Sequence, residues 1–545
     1  MRLSHIPVLA LAAVPSFAVH THGHSHSGHE KTVMSAKRVA IIGAGAAGSS
    51  AAYHLRKDAA AAGIPVNITI YERAPYIGGR STTVNAYDDA SEPVELGASI
   101  FVKVNRILVN ASEEFNLSTG AMVSARPKTQ AGALLGIWNG EKFLYTQGAG
   151  AGAGWWWDLA RLVWRYGLAP IRTNNLMKDV VGRFLKMYEE PYFPFASLTQ
   201  VAYELGLTAV TAATGEEYLR ENGIGDLFAQ EIIQASTRVN YAQNLPLIHG
   251  LETMVCMATD GAVSVQGGNW QIFDRMAKAG ANSIHLSSNV TSLQRQPDGT
   301  YILSAKPIHP STAAATTSTY DTVILAAPYQ FSDISFNPLP QHIPDPIPYV
   351  NLHVTLFASP HPLAPAAFNL APGAEVPQIV LTTLLPTEHP GTTPVYPGKA
   401  GFFSISQLRP VTNPATSKGE FLYKIFSPER VEVAFLGRIL GVEHSGDAEN
   451  LDKGDVSWIY RKLWQSYPYE YPRVTFPELR LEDGLWYTSG MESFISTMET
   501  SALSGMNVAR LVVDEWISRG KGVVEGGERV RGPGEGRQQV LKSKL

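Results

Sequence analysis

The distribution of apolar and polar residues divides the chain into three regimes. Near the start, an apolar run rich in β-branched residues, Val39 to Ile42, breaks on Gly43 into an alanine-rich segment reaching about Ala62. A second run, Val66 to Tyr71, follows and ends at Glu72. Short apolar runs bounded by turn residues predict buried strands, and the longer segment between them predicts a helix, so this stretch reads as one strand-helix-strand unit of a parallel sheet. A later run, Asp321 to Pro328, predicts a returning strand of that sheet. Before it, a strand through Asn289, Val290 and Thr291 leads to a hairpin turn at Asp298-Gly299. Between Leu159 and Tyr218 the pattern is mainly helical, with apolar or aromatic residues at Leu162, Val163, Tyr166, Leu176, Val180, Phe184, Leu185 and Tyr188 that face either the core or an apolar pocket. Just before this region, the glycine run Gln147 to Gly154 and the cluster Trp155-Trp156-Trp157 read as a surface loop. From about Tyr329 to Arg480 the runs are short and separated by prolines, as in Asn351 to Ala358 and Gln378 to Leu384, which predicts a second sheet. The chain closes with a strand ending near Gly490, a helix to about Trp516, and a Gly-, Arg- and Glu-rich tail beyond Ser518 whose composition predicts disorder.

The break at Gly43 carries chemistry. Gly43, Gly45 and Gly48 have the spacing at which one glycine permits the tight turn, the next leaves backbone bare for a pyrophosphate, and the third lets the helix pack on its strand. Phosphates then meet the positive end of the helix through the loop Ala44, Ala46 and Ala47. Glu72 lies 24 residues beyond Gly48, where an acid meets a ribose hydroxyl. Arg73 follows, then Gly78-Gly79-Arg80-Ser81 and Leu96-Gly97-Ala98. A second glycine pair past the ribose acid is not part of the minimal nicotinamide motif.

This succession resembles the flavoproteins of the amine oxidase and prenylcysteine oxidase group. Asn240-Tyr241-Ala242-Gln243 after Arg238, and Gln266-Gly267-Gly268-Asn269-Trp270, are similar to stretches of the prenylcysteine oxidases in particular. The resemblance covers Lys37 to about Trp516 and implies FAD as cofactor. The implied fold is an α/β, two-domain FAD-binding flavoprotein, in which a Rossmann-like dinucleotide domain is interleaved with an α+β substrate domain. Its segments are 37–105, 262–330 and 481–518 for the FAD-binding domain, and 106–261 and 331–480 for the substrate domain. Residues 1–18, 19–36 and 519–545 fall outside both.

Carried over residue by residue, the resemblance implies cofactor contacts from Gly43, Ala44, Gly45, Ala46, Ala47, Gly48, Glu72 and Arg73, with Gly79, Arg80, Gly97 and Ala98 running along the FAD. It further implies that the Val290 backbone meets adenine, that Gly490 and Glu492 approach the ribityl and phosphate region, and that Met498 and Glu499 start a helix beneath the ring. The implied reaction oxidises a small-molecule prenyl thioether, farnesyl- or geranylgeranylcysteine, with O2 to cysteine, a prenyl aldehyde and peroxide. A hydride leaves the carbon next to sulfur, water adds, and the hemithioacetal collapses. That chemistry needs an apolar slot and a water, and no nucleophile or metal. Tyr241, Gln243 and His249 are candidates to position water or accept a proton, and each reads equally as a structural polar residue. Three other readings stay open: a flavin amine oxidase or other FAD oxidase on an apolar substrate; a non-catalytic prenyl-binding escort-like protein, against which the complete glycine set and Glu72 argue; and a metal-carrying His-rich surface protein, which leaves the core unexplained.

Composition changes little in this picture. With 44 basic and 48 acidic residues the formal charge is −4, which gives no reason to expect nucleic acid as a partner. The one cysteine, Cys256, excludes an internal disulfide and, within Met254-Val255-Cys256-Met257, reads as a small buried hydrophobe. Residues 1–18 read as a signal peptide, with Arg2, the apolar stretch Ile6 to Val14 and Ser16-Phe17-Ala18, too short for a transmembrane span. The tract from His20 to His29 reads as a linker. Glycosylation sequons stand at Asn67, Asn110, Asn116 and Asn289. Asn67 lies in a predicted strand, so Asn110 and Asn116 are the preferred glycan sites. The expected address is the secretory pathway, with lysosome, vacuole or extracellular space as destination; Ser543-Lys544-Leu545 makes the peroxisome the alternative.

Overall fold

The computed structural model describes residues 35–121, 133–148, 162–309, 312, 314–443 and 451–525. The segment read above as a signal peptide, the histidine tract, the Trp155-Trp156-Trp157 cluster and the C-terminal tripeptide lie outside these residues.

Strand Lys37–Ile42 is the centre of a six-stranded sheet ordered Arg480–Glu482, Leu485–Tyr487, Thr322–Leu325, Lys37–Ile42, Val66–Tyr71, Ser283–His285. It pairs in parallel with Thr322–Leu325 on one side, Val39 opposite Thr322, and with Val66–Tyr71 on the other, Val39 opposite Ile68. Its alternation is buried on both faces, as a parallel central strand requires. Val39 and Ile41 join Ile68, Ile70 and Ile324 in a core shared with helices Ala46–Ala61, Trp270–Gly280 and Met498–Glu525. Ala40 and Ile42 face the other way, into a core with a four-stranded sheet made of Thr316–Tyr320, Tyr301–Pro307, Ser288–Arg295 and Ser335–Asn337. The hairpin expected at Asp298-Gly299 joins two of these strands, with the Asp298 carboxylate accepting the Thr300 N–H.

The proline-rich region forms a second, seven-stranded sheet, ordered Trp458–Pro468, Tyr349–Ser359, Gly419–Ser427, Ser404–Thr412, Ile379–Thr382, Ala133–Trp138, Phe143–Gly148. The prolines lie largely between strands, and several strands are longer than the runs in the sequence: Tyr349–Ser359 has 11 residues. Fully buried Arg238, from helix Gln234–Tyr241, ties this sheet to its neighbours by donating to Thr382 Oγ1, Asn244 Oδ1 and the carbonyls of Tyr396, Pro397 and Phe402. In the helical region, Val180 and Phe184 are buried and Tyr166, Leu176, Leu185 and Tyr188 pack against the same core, so the stripe serves packing.

Two expectations change and one holds. The closing helix runs from Met498 to Glu525, past Trp516 and into the segment expected to be disordered, with Arg519 paired to Glu515 one turn back. Asn67, although in a strand, is exposed, as are Asn110 and Asn116. Cys256 is buried. Among the described residues, no helix is long and apolar enough to cross a membrane, and no group of three or more His, Cys, Asp or Glu is arranged to hold a metal.

Candidate functional site

At the carboxyl end of the central strand, where ligands of open α/β sheets bind, the chain turns through Gly43 with φ of 107°. Its N–H donates to Tyr71 O, and a Cβ here would lie 2.6 Å from Ala326 O. A Cβ on Gly48 would lie 1.9 Å from Gly43 O. These two glycines are required by the fold itself. Gly45 differs: a Cβ there would meet nothing nearer than Gly79 Cα at 4.0 Å, so its bareness serves whatever approaches from the cavity. Helix Ala46–Ala61 begins at Gly45 with no side-chain cap and no acid in its first turn, which leaves its positive end open. The Glu72 carboxylate secures the turn by accepting the Ala44 N–H at 2.7 Å and the Ala74 N–H at 2.6 Å.

These groups open on a cavity of about 430 Å³, within the range of small-molecule and cofactor sites. Gly43, Gly45, Ala46, Ala47, Glu72, Arg73, Gly79, Arg80, Gly97, Ala98, Glu492 and Met498 line it. Arg80 donates to Glu492 Oε1 at 2.7 Å and to Ser466 O at 2.9 Å, while Tyr349 OH donates to Glu492 Oε2 at 3.0 Å. Burial disfavours the Arg80 charge, but Glu492 and Tyr349 outweigh that and hold its pKa above the ordinary value.

Five expected contacts are not on the wall. Ala44 is buried beneath the loop, its carbonyl accepting the Gly78 N–H. Gly48 faces Gly43 O, and Gly490 is buried beside Pro477. Val290 is 3% exposed and sits between the two sheets of the first half. Glu499 is turned elsewhere: its carboxylate accepts the N–H groups of Ile107 and Leu108, at 2.9 and 3.0 Å, and the hydroxyl of Tyr188. It therefore caps the first turn of helix Arg106–Glu114. Burial pushes its pKa up to about 7 in spite of those donors.

The second sheet contributes what the sequence did not show. Leu352 and Trp464 stand opposite each other on strands Tyr349–Ser359 and Trp458–Pro468, and with Ser466 and Tyr467 they complete the cavity wall. A Cβ on Gly97 would lie 2.8 Å from the Trp464 ring, so the indole lies against bare backbone. Ser81 Oγ, Ser466 Oγ and Trp464 Nε1 are buried and have no hydrogen-bond partner among the described residues. Buried donors are seldom left so, and three on the walls of one cavity fit a ligand with polar edges. A flavin dinucleotide matches the whole set: glycine loop and helix end for phosphates, Glu72 for ribose, and these donors for a heterocycle.

Tyr241, Gln243 and His249 are not on the cavity wall. Tyr241 is 4% exposed and presents its ring edge-on to Tyr467, centroids 5.2 Å apart. Gln243 donates to Pro468 O and accepts the Glu470 N–H. His249 caps helix Gly250–Met257, its Nδ1 accepting the Glu252 N–H at 3.1 Å, and burial holds its pKa down at about 3, so the ring is neutral. They pack with two further acids, Glu252 and Glu470, both 0% exposed, in a buried polar cluster, the polar chamber.

Comparison with known proteins bears on what fills the cavity. A family model described as prenylcysteine lyase matches residues 152–525, and one described as an NAD(P)-binding Rossmann-like domain matches residues 41–110. Among curated proteins, the chain is 29% identical over 498 residues to farnesylcysteine lyase of Arabidopsis thaliana, covering 88% of this chain and 89% of that protein. It is 27% identical over 493 residues to prenylcysteine oxidase 1 of Homo sapiens, with the same coverage of 88% and 89%. Among solved structures, a double mutant of putrescine oxidase superposes with a TM-score of 0.52 at 14% identity, covering 88% of this chain and 99% of that one. Cyclohexylamine oxidase from Brevibacterium oxydans gives 0.51 at 14% identity, covering 89% and 100%. The two structures share the α/β two-domain fold.

Proposed function

The chain belongs to the prenylcysteine lyase family, and on that premise we propose that it is an FAD-dependent thioether oxidase, cleaving a prenylcysteine with O2 to cysteine, a prenyl aldehyde and hydrogen peroxide. The observation that carries this reading is one cavity in which the glycine loop of the first sheet meets an apolar strand face of the second. Bound there, FAD supplies an acceptor for the two electrons and the hydrogen that leave the prenyl carbon next to sulfur.

The protein's residues bind, orient and exclude water. Gly45 and the uncapped helix start receive the pyrophosphate. Glu72 has committed one lone pair of each oxygen to backbone N–H groups and keeps others for ribose hydroxyls. Arg80, fixed by Glu492 and Ser466 O, presents a positive charge that cannot swing away. Trp464 Nε1, Ser466 Oγ and Ser81 Oγ offer donors to a polar ring edge. Leu352, Trp464, Tyr467 and Met498 form an apolar surface suited to an isoprenoid, while Ser489, Ser496 and Ser501 are the hydroxyls able to hold the attacking water.

The test is the visible spectrum of the purified protein, followed anaerobically as farnesylcysteine is added. Bleaching of a yellow protein is expected. A colourless protein, or a yellow one bleached by an amine and not by the thioether, overturns the reading. The proposal extends to the cell: passage through the secretory pathway to lysosome, vacuole or exterior, with N-glycans at exposed Asn110 and Asn116. An endoglycosidase-sensitive mobility shift, lost in the Asn110→Gln, Asn116→Gln double variant, is expected. An unglycosylated chain found in peroxisomes overturns this part.

A further inference from the structure

Gly97 and Ala98, which line the cavity, belong to a loop held from behind by groups that the reaction above does not use. Lys424 reaches it from strand Gly419–Ser427 of the second sheet and is 6% exposed. Its Nζ donates to Glu95 O at 2.8 Å and to Ser99 Oγ at 2.9 Å, one bond on each side of the two lining residues. The ammonium also lies 4.8 Å from the Phe426 ring centroid. Asn269, fully buried in the Gly267-Gly268-Asn269-Trp270 stretch, donates from Nδ2 to Ala98 O at 3.1 Å, and its backbone N–H donates to Glu95 Oε1 at 2.6 Å. Its Oδ1 accepts the Val265 N–H, so this side chain has one orientation available. The other Glu95 oxygen, Oε2, is buried without a partner. From the cavity side, a Cβ on Gly97 would meet Arg80 O at 2.4 Å and the Trp464 ring at 2.8 Å, so the loop is gripped from both faces.

A buried lysine is an expensive way to hold a loop, because an ammonium loses its hydration there. The same two hydrogen bonds could be donated by a neutral side chain of similar length, such as a glutamine amide. A cation at this position does one thing that a neutral side chain does not: it places a poorly screened positive charge directly behind the wall of a redox cavity.

We propose that Lys424, Glu95 and Asn269 form a positioning set that holds the Gly97–Ala98 backbone against the bound flavin, with Lys424 supplying a buried positive charge that favours the electron-rich reduced ring. The proposal rests on the FAD reading above and says which residues outside the cavity tune it. Burial draws Lys424 down to about 8, against the pull of Glu95. Burial pushes Glu95 up to about 7, against the Asn269 N–H and Lys424. Lys424 is therefore largely charged at neutral pH, and its charge is left uncompensated as pH falls and Glu95 takes up its proton. The set also gives the Gly-Gly-Asn stretch a physical role: Asn269 bolts the glycine-loop half of the molecule to the same backbone that Lys424 holds from the other sheet.

The experiment compares FAD-loaded wild type with Lys424→Met and Lys424→Arg, reading the reduction potential of the bound flavin, its visible circular dichroism and its rate of dissociation. The Met variant is expected to hold flavin with a lower potential, an altered dichroism band and dissociation faster by about tenfold, the size of one lost charged hydrogen bond. The Arg variant is expected to recover most of the potential and less of the dichroism, since it restores charge without the same fit. Ser99→Ala, which removes one contact of Lys424 and leaves the charge, separates the two roles should Lys424→Met fail to fold: dissociation quickens and the potential holds. A wild-type protein that takes up no flavin overturns the underlying reading. Flavin-loaded Lys424→Met, or Ser99→Ala in its place, matching wild type in all three readouts overturns the positioning set alone.

Discussion

The glycine-lined cavity and the polar chamber that adjoins it through Tyr467 and Ser496 are built from opposite materials. The cavity end of the first sheet is a backbone site: bare glycines, a helix start and the carboxylate at the end of the next strand gather within a strand, turn, helix and strand that are continuous in sequence. The chamber is a side-chain site: Tyr241, His249, Glu252 and Cys256 come from two helices and the turn between them, and Glu470 from the loop after a strand more than two hundred residues on. The first is open to a ligand. The second leaves Glu252 Oε2 and Glu470 Oε1 buried without a hydrogen-bond partner among the described residues, sets His249 Nε2 3.5 Å from Glu470 Oε2, and adjoins the cavity through Tyr467 and Ser496. Backbone sites keep their function through shape, so a single methyl group decides them. Side-chain sites keep theirs through protonation, so pH decides them.

The methyl test has the largest expected effect. Gly48→Ala drives a Cβ to 1.9 Å from Gly43 O, a clash with backbone that no rotamer relieves. A loss of about 4 kcal/mol or more is expected, seen as insoluble or unfolded protein. Gly45→Ala meets no protein atom nearer than 4.0 Å. It should unfold within about 0.5 kcal/mol of wild type yet bind FAD at least tenfold more weakly, about 1.4 kcal/mol. Thermal unfolding of the two apo proteins and a flavin titration of the soluble one check this. Equal losses of stability would show that Gly45, like Gly48, is a packing glycine.

The pH test follows. Burial raises Glu252 to about 8, far above its value in an unfolded chain. An acid whose folded pKa is raised contributes stability that is fully present below the unfolded pKa and lost as pH climbs through the folded one. Wild type should therefore lose stability between about pH 4.5 and pH 8, by an amount on the order of a few kcal/mol, whereas Glu252→Gln should lose less across that window, keeping only the share that comes from the other buried acids, Glu95, Glu470 and Glu499. The measured quantity is the difference in melting temperature between variant and wild type, expected to rise from pH 5 to pH 8. A difference that falls instead means the carboxylate is ionised and paired in the folded state.

Much of the first region was legible because its signals are local. The spacing of Gly43, Gly45 and Gly48, the apolar runs on either side and Glu72 at the next strand end are all set by adjacent elements, and strands Lys37–Ile42 and Val66–Tyr71 lie where the apolar runs do. What was illegible depends on which face of a distant strand turns inward. Trp464 and Ser466 share one face of Trp458–Pro468, but that this face meets the cavity follows from the pairing of Trp464 with Leu352, across more than a hundred residues. Tyr241, Gln243 and His249 were drawn toward the site by their motif; the motif instead serves packing around the chamber. Glu499 was misread for a related reason. An acid at a helix start reads as a cofactor or dipole residue of its own helix, and nothing in the sequence shows that it caps another one.

That misreading is itself a prediction. Glu499→Ala removes the acceptor for the Ile107 and Leu108 N–H groups and for Tyr188 OH. A loss of about 1 to 2 kcal/mol is expected from an N-cap deletion, with FAD affinity unchanged. A weakened flavin titration at unchanged stability would return Glu499 to the cofactor site.

Trp464→Phe is the smallest of these changes and the one that joins the two regions, because the strand carrying it, Trp458–Pro468, leads into Glu470. Phenylalanine keeps an aromatic ring against Gly97 and Leu352 while deleting one N–H, which in the ligand-free protein bonds to nothing. Stability without cofactor should therefore stay equal or rise slightly, since an unpartnered buried donor costs free energy and its removal is a gain. With FAD present the sign reverses. If the indole N–H finds its acceptor on the flavin, the variant loses roughly 0.5 to 1.5 kcal/mol of binding, about two- to tenfold in affinity, together with a shift of the visible band. Opposite signs in the apo and loaded states distinguish a donor waiting for a ligand from one that merely fills space, for which both states would change in the same direction.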